Sequence, residues 1–397
     1  MPLRWVMLIV LFLVRLAMGY QFQSVASVSS HLVNELGFSY AQVGTLIGFF
    51  VLPGIVISIP SGVLTRAVSD KTLLMFGALT MVVGALVMGI GAGTSELYVG
   101  RLITGIGGTI FNVILTKMVT DWFDGKEIVT GLAVMLTAWP IGIALGLLTQ
   151  GFIADTYGWP WAMHATGGLA LVAFLLTATL YRNPPRATLA ANQPLQFSVP
   201  RRQLVHISVV GLGWALFNVS LIIVVSFGPD VLIEHGYEAG AARATISLAT
   251  WSMLISIPFA GRLMEVFGWI TLSTVASLTV AAGVMAALSQ GLAPEMLSVA
   301  FGLIFGIPAG ALMALTSQAL SPDNRGPGLG IFYTWYFVGM TIGPAFAGRM
   351  RDLSGAAAPL IAGAVMLIAV VMCVGALRAL QRIWPIEGVP KRDVVSG

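Results

Sequence analysis

The chain has 397 residues, 57% of them hydrophobic and only 9% charged, with a formal net charge of +4. Soluble domains carry about 25% charged residues, so this composition excludes a soluble globular protein and predicts an integral membrane one. Apolar stretches of about 20 residues predict helices that cross the bilayer, because strands of a barrel would instead alternate over about 10. A single cysteine, Cys373, excludes an intrachain disulfide and a cysteine metal cluster. The sequence pI near 9.4 is explained by loop lysines and arginines, without a nucleic-acid partner.

Windows of about 19 residues predict spanning helices over 5–29, 41–64, 72–92, 97–119, 129–152 and 161–181. Six more follow over 204–228, 241–261, 270–291, 296–319, 328–348 and 358–379. The first runs past Arg15 to Val28 without the usual small-residue cleavage site, as a retained helix does and a signal peptide does not. Arg182 to Arg202, RNPPRATLAANQPLQFSVPRR, is the one long polar segment. The predicted organisation is a six-helix half over 1–181, a linker over 182–203, a second six-helix half over 204–380 and a tail over 381–397.

With the N-terminus inside, only Arg243, Arg349 and Arg351 of the 20 lysines and arginines fall outside the cell. Arg15 and Arg101 lie within the membrane and the rest fall inside, which predicts two cytoplasmic termini. The fourth helix, LYVGRLITGIGGTIFNVILTKMVTDW from Leu97 to Trp122, carries Arg101. Steps of four, three and four residues from it reach Gly105, Gly108 and Asn112 on one face. An arginine facing lipid costs about 3 kcal/mol or more, so this face is predicted to line something polar.

Internal repetition is extensive. Gly131, Gly142, Gly146, Asp155 and Gly158 recur at a constant offset as Gly328, Gly339, Gly343, Asp352 and Gly355. ISIPSGVL from Ile57 is echoed by ISIPFAGRL from Ile255, and LITGIGG from Leu102 by LIFGIPA from Leu303. Two similar halves of the same orientation fit parallel repeats.

These residues carry a resemblance to the major facilitator superfamily. Its loop between helices two and three reads G-x-L-x-D-x-x-G-R-K. The second-half copy, with Gly261, Leu263, Glu265 and Gly268, is similar to it; the first-half copy has Arg66 at the acidic position. Leu97-x3-Arg101-x3-Gly105-x-Gly107-Gly108 is similar to the fourth-helix motif, and Gly158-Trp159-Pro160-Trp161 to the motif before helix six. The resemblance implies an all-α membrane protein of twelve spanning helices in two halves that rock about a central site. It makes Arg66, Gly261, Glu265 and Gly268 candidate gating residues.

FLVRLAMGYQF, from Phe12 to Phe22, resembles the first helix of the superfamily's anion porters: anion:cation symporters, organophosphate antiporters and cyanate-transporter-like members. That resemblance brings Arg15, Gly19 and Phe22 into a substrate-binding set with Arg101, Gly105, Gly108 and Asn112. A guanidinium bonds carboxylate or phosphate in a bidentate fork; the competing reading of each arginine is a structural one that bonds helix-end carbonyls. Trp214, Asn218, Tyr333 and Tyr336 are further candidates for the cavity, with packing as their alternative role. None of the 16 acids falls at mid-membrane by this reading, Asp230 included, so the two arginines lack a protein counter-charge and no carboxylate relay is expected. His31, His164, His206 and His235 are read as surface or interfacial.

The expected function is secondary transport of a small organic or inorganic anion across a bacterial inner membrane, in uptake or exchange. Exchange is preferred, because an empty cationic pair reorients poorly. The alternatives are export of apolar or cationic compounds, and a receptor that keeps the fold without transport. No catalytic constellation or zinc-type spacing is visible, so no enzyme activity, cofactor or metal is expected. The expected partners are the anion and the lipid bilayer, with the chain a monomer.

Overall fold

Backbone amides in a bilayer have no water to bond, so a spanning segment must close its hydrogen bonds within itself. The computed structural model describes residues 3–57, 68–90, 93–123, 127–183, 199–267, 270–321 and 324–386. The extended elements among them are all helices, and they fall in two units, Met1–Gln193 and Pro194–Gly397. The first unit holds α1 (Leu3–Ser27), α2 (Ser29–Leu36), α3 (Tyr40–Phe49), α4 (Pro53–Ile57), α5 (Asp70–Gly89), α6 (Thr94–Trp122), α7 (Ile128–Tyr157) and α8 (Trp159–Thr179). The second holds α9 (Arg201–Glu234), α10 (Ala239–Phe267), α11 (Ile270–Leu288), α12 (Pro294–Phe305), α13 (Ala309–Ala319), α14 (Arg325–Ser354) and α15 (Ala357–Ile383).

Ten segments among the described residues are long and apolar enough to span a membrane. The two other predicted spans fall on α10 and α14, helices of 29 and 30 residues. Two predicted helices are broken. The span expected over 41–64 turns at 50–52 between α3 and α4, and the one over 296–319 turns between α12 and α13. Pro53 and Pro308 sit at these breaks: a proline donates no N–H and its ring crowds the preceding turn. Pro140, Pro229, Pro258 and Pro344 are instead carried inside α7, α9, α10 and α14.

Within each unit the same packing pattern recurs in chain order. In the first, α1 packs on α7 and α8, and α5 on α6 and α8; in the second, α9 packs on α14 and α15, and α11 on α12 and α15. The repeated glycines make these contacts. Gly142 lies against the Leu16 carbonyl oxygen of α1, and a Cβ on Gly339 would come within 2.7 Å of the Ala215 Cβ of α9. Gly158 and Gly355 end α7 and α14 at φ 92° and 89°, a backbone region that side chains disfavour. Ser39 starts α3 through a reciprocal capping box with Gln42.

Candidate functional site

Thr94 to Trp122 forms one continuous helix, and Arg101 lies inside it with no exposed surface. Each of its three guanidinium nitrogens donates a hydrogen bond. Nε donates to the Leu46 carbonyl at 3.0 Å, and one terminal nitrogen donates to the Gln21 carbonyl at 3.0 Å and to Ser24 Oγ at 3.4 Å. The other donates to the Phe22 carbonyl at 2.7 Å. Its carbon sits 4.8 Å from the Phe50 ring centroid and 5.8 Å from that of Phe22, both faces offering negative π density. Backbone carbonyls and aromatic rings thus supply the compensation expected from an anion. Arg101 ties α6 to α1 and α3, and the expected pair of arginines in one polar space is corrected accordingly.

The small residues beside it serve the same joint. A Cβ on Gly105 would meet the Phe50 carbonyl oxygen at 2.6 Å, and one on Gly108 would meet the Phe50 ring at 2.5 Å. Their expected place in a ligand site is therefore replaced by close packing of the α3–α4 turn on α6. Gly19 likewise faces the Trp139 carbonyl oxygen, 2.5 Å from where its Cβ would stand. Phe22 is 1% exposed, with its ring centroid 5.5 Å from Phe50 and 5.1 Å from Trp139. Asn112 is half-buried, eleven residues or about 16 Å along α6 from Arg101 at 1.5 Å per residue.

Arg15 is different. It is half-buried and stands at the middle of the 25-residue α1. Next to it along α1, a buried polar layer follows: Gln21 donates to the Met81 carbonyl at 3.0 Å, Gln150 to the Tyr20 carbonyl at 2.7 Å, and Tyr20 shares a 2.9 Å bond with Thr149. Sequence reading passed over this layer, because glutamine, tyrosine and threonine carry no charge pattern.

In the second unit, Trp214 and Asn218 are half-buried on successive turns of α9, where Asn218 Nδ2 donates to the Trp214 carbonyl at 2.8 Å. On α14, Tyr333 is 37% exposed and its ring centroid is 6.4 Å from that of half-buried Tyr336. Trp214 stacks with Phe332 at 6.1 Å, so an aromatic row joins α9 to α14. Of the gating candidates, Arg66 and Gly268 lie outside the described residues, as do the side chains around Gly261 and Glu265. Glu127, just before α7, is bonded to Arg4 at 2.6 Å.

The described acids fall toward helix ends, and one of them lies deeper in its helix than expected. The predicted seventh helix stops at 228, before Pro229, whereas α9 continues to Glu234. Asp230 therefore lies within a helix and is only 7% exposed. His206, read as interfacial, has no exposed surface and sits 2.7 Å from the Arg202 carbonyl through Nδ1. At the other end of the first unit, Lys117 bonds Asp70 at 2.5 Å and Asp121 at 2.9 Å. Lys71 donates to the Ala178 and Tyr181 carbonyls at the end of α8, each at 2.9 Å. Burial pushes the Tyr181 phenol above its ordinary range, the Trp122 hydrogen bond opposes this, and the charges of Asp70 and Asp121 add to the rise.

The family pattern of the Major Facilitator Superfamily matches residues 9–344. The chain belongs to the major facilitator superfamily. Among curated relatives, the quinolone resistance protein NorA of Staphylococcus aureus is 23% identical over 339 residues, 81% of this chain and 84% of its own length. A D-galactonate transporter of Escherichia coli is 24% identical over 185 residues, 47% of this chain and 43% of that protein. Among solved structures, the nucleoside transporter NupG superposes with a TM-score of 0.72 at 16% identity, covering 96% of this chain and all 100% of that one. A bacterial homolog of the lysosomal transporter Spinster does so with TM-score 0.72 at 16% identity, over 96% and 97%. Membership makes this superfamily protein a multi-pass integral membrane transporter and not an enzyme. The fourth-helix arginine of this member serves as an internal staple. In the loop motif, aspartate stands where the pattern has arginine, and Asp70 there is held by Lys117.

Proposed function

We propose that this transporter carries a small anionic solute across a bacterial inner membrane, as a monomer with both termini in the cytoplasm, and that Arg15 is its anion ligand. The observation that carries this reading is the position of Arg15: a half-buried cation at the centre of α1. A cation at mid-membrane faces a protein interior or a water-filled cavity, and a guanidinium there offers a bidentate fork to carboxylate or phosphate. Arg101, the other intramembrane arginine, is occupied by carbonyls and has no surface to offer. The substrate in the name of the D-galactonate transporter is a carboxylate, which supports the same class. Export, the reading suggested by the name of NorA, is the rival.

The test is counterflow in liposomes loaded with unlabelled solute and given the labelled form outside. The panel comprises carboxylates, phosphate, inorganic anions, a nucleoside and a quinolone. One anion class is expected to exchange, and Arg15→Lys to slow it tenfold or more, since a point charge cannot reproduce the guanidinium fork. Movement of the quinolone alone, or anion exchange unaffected by Arg15→Lys, overturns the proposal.

A further inference from the structure

Phe22 stands two helical turns beyond Arg15 on the same face of α1, about 10 Å along the axis. Phe22 is buried, and Trp139 of α7 packs on it, with ring centroids 5.1 Å apart and planes at 46°. Phe50 meets the Phe22 ring edge-on at 5.5 Å, and the Arg101 guanidinium lies 5.8 Å from its centroid. The indole of Trp139 thus rests on a braced partner, yet it is only half-buried. Gly19, between Arg15 and Phe22 on that face, brings α7 this close, since its Cβ would stand 2.5 Å from the Trp139 carbonyl oxygen.

A half-exposed tryptophan in a spanning helix is ordinarily an interface anchor, a packing residue or a lipid contact. Anchors sit at the membrane surface, whereas Trp139 lies about 16 Å inside α7 from its start at Ile128. Packing accounts for the side of the indole that meets Phe22 and leaves the other side open. Lipid does not suit that open side, because the indole stands on the α1 face that carries Arg15. An arginine at such depth faces protein or a watery cavity. Arg15 and Trp139 both belong to the first unit, and Gly19 and Gly142 hold their helices in backbone contact.

We infer that Trp139 is a specificity-determining residue and that the solute is an organic acid with a flat ring. Its carboxylate is held by Arg15, and its ring lies on the open side of the indole. The inference rests on the Arg15 reading for the carboxylate end alone. Stacked rings gain attraction beyond the burial of their area, so the indole favours a planar body over an aliphatic one. Phosphate or a short fatty acid fills only the cationic end and leaves the indole in water. The two turns between Arg15 and Phe22 suit an acid whose ring and carboxylate are separated by a short chain, such as phenylpropanoate.

The experiment is equilibrium dialysis of the purified full chain with labelled phenylpropanoate and labelled propanoate, read as the ratio of the two affinities. The wild type is expected to favour the phenyl acid by about tenfold or more. Trp139→Leu, which keeps an apolar side chain without a ring, is expected to cut that ratio by about threefold or more, and Trp139→Phe to retain most of it. Arg15→Lys is expected to weaken both acids alike and leave the ratio in place. A ratio unchanged in Trp139→Leu, or a wild type that does not prefer the phenyl acid, overturns the inference. In that case the Arg15 reading still stands if Arg15→Lys weakens both acids. A ratio that falls in Trp139→Leu while Arg15→Lys changes neither acid keeps the indole wall and removes the Arg15 reading. If Trp139→Leu does not fold, nitrophenylpropanoate decides by fluorescence. Its ring is expected to quench a part of the tryptophan emission that Trp139→Phe lacks, and equal quenching of the two proteins overturns the inference.

Discussion

Lysine at position 101 would keep a charge in a site without exposed surface while losing most of the bonds to the Leu46, Gln21 and Phe22 carbonyls. Leaving a buried charge poorly bonded costs about 3–5 kcal/mol, so Arg101→Lys is expected to lower thermal stability in detergent severely. Arg15→Lys, at a half-buried position, is expected to change stability by about 1 kcal/mol or less while weakening anion exchange. Melting curves of the two variants side by side check this; equal losses of stability would remove the distinction between staple and ligand. The same contrast limits what was legible at this scale. That both arginines should avoid lipid is an expectation from their depth. That Arg101 spends its donors on the Leu46, Gln21 and Phe22 carbonyls follows only from where α1 and α3 come to lie.

The glycine repeat is an element-scale feature, and substitutions separate contact from composition. Gly142 sits on the α1 backbone at Leu16, whereas Gly168 in α8 has open space where its Cβ would stand. Gly142→Ala is expected to cost about 1–3 kcal/mol by overpacking. Gly168→Ala is expected to be neutral or to stabilise by up to about 1 kcal/mol, from helix propensity alone. Thermal unfolding of both variants decides, and a harmless Gly142→Ala would mean that α1 and α7 are not held at this distance. The ion pair between α5 and α6 gives a second case. Lys117→Met strands buried Asp70, which Lys117 bonds at 2.5 Å, and is expected to destabilise by about 3–5 kcal/mol. Adding Asp70→Asn should recover much of that loss; no recovery would show that Asp70 does not depend on Lys117. Helix positions were largely legible from hydropathy, but helix interruptions were not. Pro53 and Pro308 break their spans and Pro140 and Pro229 do not, because a proline survives inside a helix wherever neighbours satisfy the backbone it frees.

At the scale of the molecule, the expected twelve spans would bring both termini to one side, and the arginine and lysine bias predicts that this side is the cytoplasm. Reporter domains fused at the C-terminus and inserted within residues 184–198 are both expected to read cytoplasmic. An external reading at either position would mean that one segment does not span, with α14, the more polar helix, the first to suspect.

Sequence alone determined that this chain is a helical membrane protein of two related halves, because hydropathy and glycine repeats are local properties that need no neighbour. It also located the two arginines within spanning helices and the superfamily motifs. Tertiary structure decided what each polar group does. Arg101 became a staple once the α1 and α3 carbonyls surrounded it, and Gly19, Gly105 and Gly108 became contact surfaces once Trp139 and Phe50 lay on them. Asp230 moved from a predicted helix end to a buried position because α9 runs through Pro229 to Glu234. A side chain's charge and size are written in the sequence, but its solvent and its partners exist only where separate helices meet.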